Sequence, residues 1–136
     1  MDSNIPFRAV LAASSAITDL VNTRIYAIRV PRDLAQLDPQ KCIVFQITGG
    51  ASDDETPVQQ PIIDVRCYSS TSAGARVLYD AVRTRLTALN NEVVTVSTKS
   101  YLCFDAVEEM DGWDEVDPDT DWSVVIGSWR FSVKEA

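Results

Sequence analysis

Apolar residues return every three or four positions near the start of the chain: Phe7, Val10 and Leu11, then Ile17, Leu20 and Val21. That spacing predicts helix over 4–21. Asn4 is the candidate N-cap, and Pro6 falls in the first turn, where a missing N–H costs nothing. Ser14 and Ser15 interrupt the pattern and divide it into two short helices, the second capped by a serine; Asn22 ends it. Arg24 to Ile28 reads as a short extended piece running into Pro31, and 31–40 as a loop. From Lys41 to Thr48 the period changes to two, with Ile43, Phe45 and Ile47 on one face, which predicts a strand. Gly49 and Gly50 are expected to end it, followed by a polar connection over 51–60.

Pro61 to Ser69 alternates again, with Ile63, Val65 and Cys67 facing one way and Asp64, Arg66 and Tyr68 the other. The clearest helix follows over 72–89, capped within Ser70–Thr71–Ser72. Its apolar stripe is Ala75, Leu78, Tyr79, Val82, Leu86 and Leu89, with Arg76, Asp80, Arg83 and Arg85 expected in water. Asn90 and Asn91 stop it. Strands are predicted at Val93–Ser97, at Tyr101–Val107 with Leu102, Phe104 and Ala106 inward, and at Trp122–Val133, where Val125, Gly127, Trp129, Phe131 and Val133 share the core face. Helices and strands in this order predict one α+β domain over 1–136, a mostly antiparallel sheet with helices packed on one face.

Charge adds a local feature. The 136 residues carry 20 acids against 12 bases, a net charge of -8. Nine of the acids lie between Asp105 and Asp121, where there is no base; the remainder is 11 against 12. A run of one sign speaks to what a surface repels or docks against. The bases are scattered, with Arg24, Arg29 and Arg32 the nearest to a cluster, so the chain lacks the basic footprint of a nucleic-acid binder. A chain of 15.0 kDa is expected to expose about 7,000 Å² when folded, enough for one core. No apolar run reaches the ~20 residues of a membrane-spanning helix. The N-terminus does not read as a secretion signal, and the expectation is folding in a cytoplasm.

Candidate chemistry is sparse. There is no histidine, hence neither the commonest general base nor the commonest metal ligand. Cys42, Cys67 and Cys103 are far apart and read as free thiols in strands. Asp117, Asp119 and Asp121 match the first three ligand positions of a calcium loop. Trp122 then stands where the turn glycine belongs, and Ser128 where the bidentate glutamate belongs. Neither metal nor cofactor is expected, and no catalytic residues are assigned. Trp113, between Gly112 and Asp114, is either an exposed aromatic of the kind that anchors interfaces or a side chain folded back on its own domain.

These elements together resemble the tail-completion proteins of tailed phages, the tail terminators. The resemblance is carried by Arg24-Ile25-Tyr26 followed by Pro31, and by the run from Cys42 to Gly50. It continues in Ile63 to Tyr68 leading into the helix with Ala75, Leu78, Ala81, Val82 and Leu86. Asp117-Pro118-Asp119-Thr120 before Trp122 and the final strand Val124 to Val133 complete it. It covers roughly residues 5–133. Two departures stand out: 105–116 is more acidic than the family pattern, and Trp113 is not part of it. The resemblance implies a homo-oligomeric ring, commonly a hexamer, at the head-proximal end of the virion's tail, assembled in the host cytoplasm. Its implied partners are the tail tube protein and the head-tail connector or stopper, with DNA passing through its lumen without specific binding and no membrane involved. Interface or lumen candidates are Asp53, Asp54 and Glu55 in one arm and Asp111, Trp113, Asp114, Glu115 and Trp122 in another. Alternatives are another neck or head-completion ring protein, or a calcium- or ligand-dependent binding module built on the acidic segment.

Overall fold

Period-two alternation builds a six-stranded sheet in the computed structural model of the chain, which describes residues 1–31, 40–52, 57–118 and 120–136, with backbone alone at 51 and 52. The elements in chain order are α1 (Asn4–Ala12), α2 (Ser15–Val21), β1 (Ile25–Ala27), β2 (Cys42–Ser52), β3 (Gln59–Ser69), α3 (Ser72–Thr87), β4 (Glu92–Val96), β5 (Lys99–Val116) and β6 (Ser123–Glu135). The sheet order is β1-β2-β3-β6-β5-β4. Every pairing is antiparallel except β1 with β2, which is parallel. The fold is α+β, with α1, α2 and α3 on one face.

That face carries the main core. Phe7 of α1 packs tilted against Phe45 and edge-on to Phe131, with ring centroids 5.3 and 5.2 Å apart. Ile63, Val65 and Cys67 of β3 and Val125, Trp129, Phe131 and Val133 of β6 lie under the α3 stripe, all buried. The chain exposes 7209 Å², close to the surface expected from its mass. Ser14 is extended (φ −90°, ψ 118°) and separates α1 from α2. Thr71 caps α3, its hydroxyl accepting the Gly74 N–H at 3.0 Å. The first helix differs in detail: Asn4 is its first residue rather than its cap, and the Asp2 carboxylate accepts the Asn4 N–H.

Two strand ends and the phase of one strand differ from expectation. Gly49 and Gly50 do not end β2, which passes a bulge between Ile47 and Gly49 and continues to Ser52. Gly50 has φ +130° and lies so near β3 that a Cβ would sit 2.5 Å from the Gln60 carbonyl, a conformation and an approach that only glycine allows. β5 does not stop at Val107 but runs to Val116, through most of the acidic stretch. It also slips phase at a bulge between Cys103 and Asp105. The residues it buries in the main core are therefore Tyr101, Cys103 and Ala106, while Leu102 and Phe104 are only half-buried.

The face opposite α1, α2 and α3 is not left to solvent throughout. Val30, Cys42, Val44, Tyr68, Trp122, Val124 and Ile126 form a second buried cluster there, with Tyr26 and Trp113 packed against it.

All three cysteines are buried and free. Burial pushes the Cys42 thiol from its ordinary 9.0 up to about 12, with Arg24 opposing weakly. Burial, then the charge of Glu92, pushes Cys103 up to about 11, and Cys67 shifts the same way. The folded state therefore holds its thiol protons while the unfolded chain releases them near pH 9. That contribution to stability is complete below pH 9 and is lost as pH rises toward the folded values. Denaturant midpoints are expected to be flat from about pH 7 to 8.5 and to fall steadily above about pH 9; an unchanged midpoint at pH 10.5 would contradict the burial of these thiols.

Candidate functional site

Arg76, Tyr79 and Arg83 stand at i, i+3 and i+7 on α3, a spacing that stacks them along one side of a helix. That side faces β5. The Tyr79 ring lies across two strand glycines: a Cβ on Gly112 would come 2.7 Å from the ring, and one on Gly127 would overlap the hydroxyl. Both glycines therefore serve close approach rather than a turn. The Tyr79 hydroxyl donates to Glu108 Oε2. Arg83 donates to the same carboxylate through Nε (3.3 Å) and Nη2 (3.2 Å) and also pairs with Asp111. Arg76 donates to the Gly112 carbonyl at 3.3 Å and to Asp114 at 3.0 Å. Both guanidiniums flank the Tyr79 ring, 5.9 and 5.4 Å from its centre. Burial, followed by the hydrogen bond to and the charge of Glu108, shifts the Tyr79 hydroxyl upward.

The members of this clamp are not equal. The side chains of Asp111 and Asp114 are 82% and 61% exposed, and ion pairs that wet contribute at most about 1 kcal/mol each. Glu108 is 22% exposed and takes hydrogen bonds from two partners, so removing either leaves a half-buried carboxylate short of a donor. The Tyr79–Glu108–Arg83 set is the strong part, and the outer pairs add orientation. Arg76 and Arg83 were expected in water and instead neutralise the acidic strand. Arg85 likewise turns inward, donating to the Val10 carbonyl at 2.9 Å and to Glu92 at 2.7 Å.

The candidate residues fall out as follows. Asp111 and Asp114 sit on β5 as exposed partners of the α3 arginines. Glu115 is exposed and accepts the Trp113 indole N–H at 3.0 Å. Trp113 is half-buried against the second cluster, so it folds back on its own domain in part. Trp122 is 2% exposed, edge-on to Tyr68 with centroids 6.0 Å apart; its ring belongs to that cluster, not to the outer surface. Asp53, Asp54 and Glu55 lie outside the described residues, as does Asp119 of the calcium-like triplet. Asp117 of that triplet accepts the Tyr68 hydroxyl at 2.8 Å. The acids do not crowd into a loop: residues 105–116 are strand, and alternation sends neighbouring carboxylates to opposite faces. Among the described residues no three potential ligands converge on one point. A depression of about 200 Å³, with Arg66, Tyr68, Glu115 and Asp117 at its rim, is smaller than the ~300 Å³ at which small-molecule pockets begin.

No protein-family model matches the chain, and no curated protein does. Among solved structures, the fold is similar to that of a chain in the virion of a native gene transfer agent (GTA) particle. The TM-score is 0.53, with 20% identity over 93% of this chain and 90% of that one. At that identity the likeness is one of fold.

The clamp predicts coupling between Tyr79 and Gly127. Gly127→Ala is expected to cost about 1–3 kcal/mol by overpacking, and Tyr79→Phe about 1–2 kcal/mol through the lost hydroxyl. The double variant loses the nearest atom the new methyl meets but keeps ring carbons 2.7 Å from it, so it should cost less than the sum in chemical denaturation while staying less stable than Tyr79→Phe alone. Strict additivity would contradict the described contact.

Proposed function

We propose that the chain is a structural virion component, and specifically a tail terminator that caps the head-proximal end of a tail tube as a ring. The observation that carries this reading is the near end-to-end fold likeness to a chain of an assembled virion; the tail-terminator pattern of the sequence makes it specific. The reading assigns no reaction: the function lies in docking one face on the tube, presenting the other to the head connector and leaving a passage for DNA.

The acidic strand supports the reading physically. A passage for a duplex must not grip its cargo, and carboxylates facing phosphates repel wherever along the duplex they meet. Asp105 and Glu115 are exposed on this strand beside the arginine pairs of Asp111 and Asp114, and six acids against the three arginines that pair with them leave it net negative; paired with β6 and clamped by α3, a wall carrying it keeps a fixed shape. Among the described residues no helix is long and apolar enough to cross a membrane.

The test is assembly. Purified protein, alone at high concentration or mixed with tail tubes, is expected to form rings of about six copies with a central hole. Those rings should sit at one end of the tubes in electron micrographs. Tubes assembled without it should overrun their normal length and fail to join heads. Normal tail length and normal joining in its absence would overturn the reading.

A further inference from the structure

The chain turns sharply as it leaves β1. The Arg29 N–H takes the Ala27 carbonyl at 2.9 Å, and Ile28 between them has φ +77°, the rare and strained form of the three-residue turn. The turn itself has a reason, since it lets Val30 reach the second buried cluster. The residue in it has none of that kind. A branched side chain is poorly suited to a positive φ, and this one is 60% exposed. Ile28 therefore costs the isolated chain backbone strain and apolar surface in water together. Burial against a partner would offset both.

The surroundings of Ile28 are basic. No acid occurs from Leu20 to Pro31, and Arg24 and Arg29 flank β1 on either side. Arg8 of α1 takes the Ile25 carbonyl at 3.2 Å, and Arg24 takes the Lys41 carbonyl at 2.8 Å. Among the described residues none of these three arginines pairs with a carboxylate. β1 is the outermost strand on its side of the sheet. With the Ile25 and Ala27 carbonyls already engaged, it presents charge and one apolar side chain rather than a free ladder.

The opposite edge offers the complement in the same rows. Following the register across, Ile25 aligns with Ile43, Cys67, Val125 and Asp114, and Tyr26 with Val44, Arg66, Ile126 and Trp113. One position before Ile25, Arg24 falls in the row of Cys42, Tyr68, Val124 and Glu115. One position past Ala27, Ile28 falls in the row of Gln46, Asp64, Ser128 and Met110. β4 pairs only with Lys99–Cys103 of β5, so among the described residues no strand covers the β5 edge in the rows of Met110 to Glu115. Asp53, Asp54 and Glu55 come only after Ser52, whose row is that of Cys103, whereas the rows of β1 end at Phe45. Glu115 and Met110 are both exposed on the β5 side. Two β1 edges repel each other, as do two β5 edges; one of each attract.

We propose that the β1 edge of one copy docks on the β5 edge of a second copy, side chain against side chain, with Arg24 facing Glu115 and Ile28 packing on Met110. The contact joins two different patches, the heterologous type that closes into rings. This rests on the ring reading above and names the surfaces that make the ring.

Cysteine crosslinking tests it, since the native thiols are buried. Ile28→Cys and Met110→Cys are at exposed positions on the two edges. The protein is treated with a short bismaleimide, alone at about 0.5 mM, the range of weak association, and again on tail tubes. The double variant should give a ladder of covalent multimers. The two single variants mixed should stop at dimers, and each single variant alone should give none. Dimers from either single variant alone would mean two-fold pairing and would overturn the proposal. So would attachment of Ile28→Cys to the tail tube protein in place of the ladder. Rings seen by mass measurement without the ladder would overturn the edge contact while leaving the ring reading intact. A chain that stays monomeric and uncrosslinked under both conditions would overturn both. Ile28→Gly separates docking from folding, because glycine adopts the turn without strain. Its denaturant midpoint should match or exceed that of the unaltered chain, while ring formation should need about tenfold more protein. A lower midpoint, or unchanged ring formation, would overturn the role given to Ile28.

Discussion

Six carboxylates on one strand repel one another, and a strand so charged does not pair unless that repulsion is met. Glu108 is where it is met. Its carboxylate is held between the Tyr79 hydroxyl and the Arg83 guanidinium, while Arg76 and Arg83 reach past it to Asp114 and Asp111. On β6, Arg130 takes Glu109 at 3.1 Å. The strand extension from Asp105 to Val116 depends on this neutralisation, and so do the features built on it: the Tyr79 slot over Gly112 and Gly127 and the packing of Trp113 on the second cluster.

Placing the acids on a clamped strand rather than in a loop changes what they can do. A loop of carboxylates adapts to whatever approaches it, including a cation. A strand fixes alternate carboxylates on opposite faces, which suits repulsion and registration and does not suit chelation. The same clamp acts from the face of the sheet, where α3 lies and its arginines arrive, and so does not occupy the edge of β5 beyond Phe104, where no strand pairs among the described residues. Rigidity and a fixed acidic surface thus follow from one set of contacts.

Much of this fold was legible in the chain. The helical stripe from Ala75 to Leu89 and the alternation from Val125 to Val133 are strictly periodic and buried as their periods require. Other parts were not legible. Acids in β5 break the apolar alternation by which a strand is read, and the bulge after Cys103 reverses its phase without any marker in composition. The second cluster did leave a sign, in that Cys42–Phe45 and Val124–Ile126 are continuous apolar runs, the mark of strands buried on both faces. The clamp spans 29 residues between Tyr79 and Glu108, a separation that no local pattern reports. Its traces were a base-free acidic run that needed bases elsewhere, arginines at matching helical spacing, and glycines inside strand-like sequence.

Amide hydrogen exchange read residue by residue tests the central claim most directly. If Tyr79, Arg76 and Arg83 hold the acidic stretch as strand, the amides between Asp105 and Val116 that donate to β6 should be protected about as strongly as their β6 partners. They should lose that protection in Arg83→Ala while the amides of β3 keep theirs. Exchange of the acidic stretch at the unprotected rate of a free loop in the unaltered protein would contradict the account.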